Sequence, residues 1–388
     1  MMTRNQFVFV CLFLTMLSEV LLSPFYPQYF SEAFGVQGVE MTSIFIICCR
    51  LVVIIMTPFW GVILKKWSMR QVVIGSLFMT AVFKVILSES TTFLSFLITS
   101  LLLLVFQSSL YLLYPYLVES MEQQEEKAKK TTIYMLVIHT AIIVSSLLGS
   151  FVITWEMPLK VYLIFACMDL TLMVILLATK LLSPDAVKKD QPIHIKVKKQ
   201  PIYFYMIATF FFHLGHNVIR PYFTLFVEDR YEVGNQMNAL LYVMPSMMAI
   251  IFKLCVPIRV FRGQDTLLLY IVTILSACSL TMQASIDSLG IFIISRIVYG
   301  GCFYLSMVVL DIYLFRQFHE AATYYYSWLI AVQNVALLFV PLLALMVSKV
   351  SLYVPLLCGA ILLVAAIIAI TIHNKPVVLY KKVKENEG

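Results

Sequence analysis

The sequence predicts an all-α membrane protein with twelve transmembrane helices in two pseudo-symmetric six-helix bundles, and three observations carry that prediction. The 388 residues are 61% hydrophobic and only 13% charged, with a mean hydropathy of +0.91, whereas a water-soluble domain carries about 25% charged residues. The apolar residues gather into twelve runs, each near the roughly 20 residues needed to cross hydrocarbon. The cations between those runs fall almost entirely on alternate connections.

The first run, 6–30, holds Glu19. It is too long for a signal-peptide core and has no small-x-small cleavage site, so it reads as a retained span. There follow 41–61 with Arg50, 71–89 with Lys84, 92–118 with Gln107, 131–154, and 159–180 with Asp169. After a polar break come 201–227 with His213, His216 and Arg220, 237–257 with Lys253, 265–284, 289–315 with Arg296 and Asp311, 323–348 and 353–373. Backbone polar groups in hydrocarbon must be satisfied within their own segment, which makes each run a helix. The expected organisation is a first bundle at 1–180, a cytoplasmic linker at 181–200, a second bundle at 201–374 and a cytoplasmic tail at 375–388.

With the N-terminus inside, twenty cations lie on cytoplasmic segments, against Lys160, Arg230 and Lys349 outside. That bias sets both termini in the cytoplasm of a multi-pass protein, expected in the inner (plasma) membrane. The eight cysteines all lie in apolar runs and show no zinc or thiol-redox spacing, so they read as packing residues. Nothing matches a nucleotide-binding G-x-x-x-x-G-K-[ST] loop, and no soluble domain is left over. An enzyme is therefore not expected, nor a cofactor, a metal site or a nucleic-acid partner; the expected form is a monomer in the lipid bilayer.

Two spacings suggest internal duplication. SPFYPQYF at 23–30 overlays RPYFTLFV at 220–227, which aligns Glu19 with His216. Glu119 and Thr131 have the same separation as Asp311 and Thr323. Parallel six-helix repeats with a binding site between them are one known transporter architecture.

The connection GVILKKWSMR at 61–70 resembles the signature loop of the major facilitator superfamily. Gly61, Lys66 and Arg70 fit that loop, while Lys65 stands where an aspartate is usual and Ser68 where a glycine is usual. Arg296 to Gly300 is similar to the family's arginine-x-x-x-glycine motif, here in helix 10; Leu104 takes the arginine's place in helix 4. Helix 5 keeps only Gly149 and lacks the glycine-proline motif of drug antiporters, which argues against efflux. The resemblance implies alternating access around a cavity to which helices 1, 7 and 10 contribute.

Five cations lie within spans, Arg50, Lys84, Arg220, Lys253 and Arg296, against Glu19, Asp169 and Asp311. A charge at the bilayer centre costs at least about 2.5 to 3.5 kcal/mol, so each needs a partner or a wet cavity. Lys84 and Asp169 fall on helices that the family places peripherally, where pairing or snorkelling is expected. The surplus of positive charge points to an anionic substrate held by forked hydrogen bonds. The expected binding residues are Arg50, Lys253, Arg296 and Arg220, with Tyr26, Gln107, Tyr114, Asn217 and Tyr304; Tyr111, Tyr299, Gln333 and Asn334 fill out the pocket. Glu19, His213 and His216 are the proton-coupling candidates, and a counter-ion role for Glu19 beside Arg50 or Arg296 stays open. Glu119 with Lys65 or Arg70, and Asp311 with Arg259, are expected to form a cytoplasmic gate. The functional expectation is proton-coupled uptake of a small organic anion, in its sharper form a citrate-type carboxylate siderophore, free or as a ferric complex. The alternatives are an exporter of drugs or metabolites, and a receptor or scaffold that does not transport.

Overall fold

Polar caps on an otherwise apolar chain set where several helices begin. Thr3, Ser68 and Thr92 each accept the backbone N–H three residues on, and Gln6, Gln71 and Ser95 reach back to close the box, which satisfies two otherwise unpaired donors at each start. The computed structural model describes residues 3–64, 66–119, 124–182, 203–255, 265–318 and 322–374. The predicted linker lies outside them except for its first two residues, and the tail lies outside them.

Helix α1 is built from Arg4–Val20, a 3-10 turn at Ser23–Phe25, and Tyr26–Phe34. It is followed by α2 (Gly38–Ile63), α3 (Met69–Ser88), α4 (Phe93–Leu110 and Leu113–Glu119), α5 (Gln124–Val152) and α6 (Val161–Ala178). Helix α7 is again composite, with Tyr203–Asn217, a 3-10 turn at Arg220–Tyr222, and Phe223–Tyr231. Then come α8 (Asn235–Cys255), α9 (Asp265–Ser285), α10 (Leu289–Phe318), α11 (Ala322–Ser348) and α12 (Val354–Asn374). Among the described residues eleven of these are individually long and apolar enough to cross a membrane. Helix α7 makes the twelfth crossing from two shorter pieces. Successive helices alternate in direction, so the N-terminus and the end of α12 share one face, here the terminal face; the loop at 35–37 lies on the opposite, distal face.

The breaks in α1 and α7 fall in the register that the 23–30 and 220–227 overlay requires. In both, a proline, Pro24 or Pro221, lies in the 3-10 turn and a nine-residue helix follows. Proline has no N–H to give the preceding turn and its fixed φ suits the start of a new helix, so each break has the same cause. Behind the first break α5 presses against α1: a Cβ on Gly149 would sit 1.9 Å from the Leu21 carbonyl oxygen.

Packing repeats across the two sets of six. In the first, α3 packs on α4 and α6, α2 on α4, and α1 on α5; in the second, α9 packs on α10 and α12, α8 on α10, and α7 on α11. The sets meet along two seams, α5 with α8 and α2 with α11. Each set has its own apolar core, around Phe30 and Phe96 in the first and Phe226 and Phe292 in the second. Lys84 of α3 and Asp169 of α6 pair at 2.7 Å, both sealed from solvent, and Thr80 adds a 3.0 Å bond to the same carboxylate oxygen.

At the distal face, side chains of the two sets are joined directly. Gln28 donates to Glu228 (2.9 Å) and Thr224 (3.4 Å), and the Thr224 hydroxyl donates to the Pro24 carbonyl. The Ser43 and Tyr222 hydroxyls meet, and between them they reach the carbonyls of Val39 (3.1 Å) and Pro341 (3.0 Å). Lys349 lies 3.5 Å from Glu40.

Candidate functional site

Between the two sets lies a cavity of about 380 Å³, lined mainly by α1, α2 and α4, with single residues of α3, α5 and α6, on one side and by α7, α8, α10 and α11 on the other. Glu19 enters it just before the break in α1 and is the one carboxylate in its lining among the described residues. Its Oε2 accepts from the Tyr111 hydroxyl and, at 3.0 Å, from Gln107 Nε2. Gln107 Nε2 is also 3.2 Å from the Tyr111 oxygen, while its Oε1 is buried without a hydrogen-bond partner among the described residues. An acceptor of that kind, left bare beside a cavity, is satisfied by water or by a ligand donor.

Arg50 of α2 is exposed to the cavity and forms no ion pair with a described carboxylate. Arg220 faces the same space from the break in α7, its Nη1 donating to Asn217 Oδ1 at 3.1 Å and its guanidinium 5.9 Å from the Tyr242 ring. The cavity thus receives one guanidinium from each set. His213, Asn217, Tyr26, Gln107 and Gln333 line it as well. Tyr242, Phe303, Tyr162 and Cys49 line it without having been singled out from the sequence. No signal marked them, because an aromatic or small residue on an apolar helix reads the same whether it faces a core or a cavity.

Other expected residues lie elsewhere. Arg296 is 4% exposed, donates through Nε to the Leu241 carbonyl (3.1 Å) and stacks 4.1 Å above the Phe223 ring. A Cβ on Gly300 would come 2.7 Å from Pro245 Cα. The arginine-x-x-x-glycine motif therefore seats α10 on α8, and Arg296 does not reach the cavity. His216 turns away from it, with Nδ1 2.9 Å from the Tyr299 hydroxyl and its ring against Phe212 and Phe303 at 4.4 and 4.7 Å. Tyr114 stacks on Tyr134 at 3.8 Å. Tyr304 and Lys253 are part-buried outside the lining.

Of the expected gate, Arg70 donates to the carbonyls of Leu176 (2.7 Å), Leu177 (3.3 Å) and Leu181 (3.3 Å). It satisfies the end of α6 and so ties α3 to α6 within one set. Lys65 and Arg259 lie outside the described residues, as do the side chains of Glu119 and Asp311.

A sequence profile of the Major Facilitator Superfamily matches residues 8–325. The chain belongs to that superfamily. It is accordingly a multi-pass secondary transporter that moves a small solute across a membrane by alternating access, and not an enzyme. Solved structures of other transporters share the fold. The human organic anion transporter MFSD10 (TETRAN) superposes with a TM-score of 0.67 at 15% identity, covering 94% of this chain and 98% of that one. The nucleoside transporter NupG gives 0.71 at 14% identity over 97% and 100%. A bacterial homolog of the human lysosomal transporter Spinster, in an inward-facing and occupied conformation, gives 0.70 at 9% identity over 95% and 94%. No curated protein matches the sequence.

Proposed function

We propose that this superfamily member takes up a small organic anion together with protons, as a monomer, across the inner (plasma) membrane with both termini cytoplasmic. The moving bodies in this reading are 1–180 and 201–374, joined by the linker at 181–200 and followed by the tail at 375–388. One observation carries the choice of cargo: Arg50 and Arg220, from opposite sets of helices, face a common cavity whose lining holds a single carboxylate among the described residues. Two guanidiniums fork onto one carboxylate group or onto the two ends of a dicarboxylate. A ligand held by both draws the sets together, which is the requirement for a substrate-dependent change of access.

Glu19 is the favoured proton carrier. It forms no ion pair with Arg50 or Arg296 among the described residues, and its position in the cavity supports exchange with water. His213 shares the cavity and is the second candidate. Within the anion class, a volume of about 380 Å³ and two lining cations favour a compact carboxylate over the bulkier citrate-type siderophore. The charge bias of the connections supports this orientation, with the bonded distal face outside.

The test is binding of benzoate, succinate and citrate to the purified protein, and to Arg50→Ala and Arg220→Ala. Each variant is expected to lose at least about tenfold in affinity, as removal of a charged hydrogen-bonding partner does. Equal affinity in parent and variants removes the anion reading. In vesicles, an inward pH gradient is expected to drive accumulation by the parent and not by Glu19→Gln. Extrusion of the same anion under that gradient would favour the exporter.

A further inference from the structure

We infer that the carried anion is a hydroxy acid, its carboxylate held by Arg50 and Arg220 and its hydroxyl donating a hydrogen bond to Gln107 Oε1. This class narrows, and rests on, the organic-anion reading above.

The cavity lining is divided in its chemistry. Arg50 and Arg220 face it as donors, whereas Glu19 of α1 and Gln107 of α4 form a corner whose open groups are acceptors. The donors of that corner are used within it. Gln107 Nε2 lies 3.0 Å from Glu19 Oε2 and 3.2 Å from the Tyr111 oxygen, and the Tyr111 hydroxyl donates to the same carboxylate oxygen. Two acceptors are left over. One is Glu19 Oε1, which takes no hydrogen bond from a described residue, and the other is Gln107 Oε1, buried and without a partner among them.

The orientation of the amide follows from its neighbours. Turned over, Gln107 would set its oxygen where Nε2 now meets Glu19, and two acceptors would oppose each other while the carboxylate is ionised. Glu19 and Tyr111 therefore hold the amide nitrogen and leave the oxygen as the free end. Gln107 is only 1% exposed, a burial at which an acceptor without a donor is destabilising. The donor that relieves it comes with what fills the cavity.

A hydroxyl suits this corner better than an ammonium does. An ammonium would bring a third positive charge to a lining that holds two guanidiniums and, among the described residues, one carboxylate. A hydroxyl supplies the proton without the charge. An acid with neither group leaves Gln107 Oε1 as it stands, and a site built to bond a hydroxyl rejects the analogue that lacks it for that reason. Phe45, Leu103, Tyr162, Phe303 and Leu337 line the same space, so an apolar or aromatic body is accommodated between the polar ends.

Mandelate, phenylacetate and phenylglycine carry a hydroxyl, a hydrogen and an ammonium on the same carbon, and their binding to the purified full chain tests the assignment by calorimetry. Mandelate is expected to bind about tenfold more tightly than phenylacetate, and more tightly than phenylglycine. In Gln107→Met the mandelate-to-phenylacetate preference is expected to fall to within about twofold of none, with thermal unfolding to check that the variant is folded. Equal affinity of the parent for mandelate and phenylacetate overturns the hydroxyl contact and leaves the anion reading standing. Tightest binding of phenylglycine overturns it in favour of an amino acid. A preference undiminished in Gln107→Met overturns Gln107 as the acceptor. A parent that binds benzoate but none of the three overturns the hydroxy acid alone. One that binds none of them, nor benzoate, succinate or citrate, overturns the anion reading and the hydroxy acid with it.

Discussion

The Lys84 ammonium and the Asp169 carboxylate lie 2.7 Å apart where water does not reach, so each depends on the other. Lys84→Met strands a buried carboxylate, which is expected to cost about 3 to 5 kcal/mol. Replacing both, as Lys84→Met with Asp169→Leu, is expected to recover most of it. Thermal unfolding of the purified variants reads the difference, and a double variant no more stable than the single would refute the pairing energetics. Glu89 and Lys160 make the contrasting case at the distal surface. There the Lys160 hydrogen bond and charge hold the fully exposed Glu89 carboxyl below its ordinary value. A carboxyl lowered in the folded state adds stability above its unfolded pKa and loses it as the pH falls through the folded one. Lys160→Met should raise the Glu89 titration midpoint, followed by carboxyl NMR; an unmoved midpoint would mean that the bond does not persist in solution. Residue by residue, the sequence allowed pairing to be expected for Lys84 and Asp169, because two opposite charges on peripheral helices have few other partners. Arg296 was not legible in the same way. A guanidinium over an aromatic ring and bonded to a carbonyl leaves no opposite charge in the sequence to betray it.

At the scale of the helix, the twelve crossings were readable because hydrocarbon imposes a minimum apolar length that few other structures need. The breaks in α1 and α7 were not: each run read as one helix, and Pro58, Pro245 and Pro341 lie inside continuous helices, so a proline alone does not mark a break. Which side of each helix faces the cavity was not readable either. On a span that is apolar all round, periodicity carries no direction, so polarity alone had to choose. It chose Tyr26, Gln107 and Asn217, which line the cavity, and with equal reason Tyr114 and Tyr304, which do not. The α1 to α5 approach offers a test at this scale. Gly149→Val places a side chain against backbone at Leu21, and that contact cannot yield by rotating a side chain. The variant is expected to lose about 1 to 3 kcal/mol as overpacking does, measured by thermal unfolding. A Gly149→Val protein as stable as the parent would mean that α5 stands further off than described.

For the molecule as a whole, the bonds among Gln28, Ser43, Tyr222, Thr224 and Glu228 hold the two sets together at the distal end. Tyr222→Phe removes the hydroxyl that meets Ser43 and Val39, and Thr224→Val the one that meets Pro24 and Gln28. About 1 kcal/mol lost at each residue is enough to shift a two-state balance roughly thirtyfold. Spin labels at Ala33→Cys and Gln236→Cys, at the distal ends of α1 and α8 in opposite sets, should then report longer distances. An unchanged distance distribution would show that the bonds do not hold that end closed.

The equal placement of the two proline breaks means that the walls facing each other across the passage share a backbone and differ mainly in which side chains it presents. One wall offers a serine where the other offers a guanidinium. The eight-residue cassettes at 23–30 and 220–227 are therefore interchangeable parts, and cargo preference can be rewritten by exchanging letters within them while the scaffold is left alone.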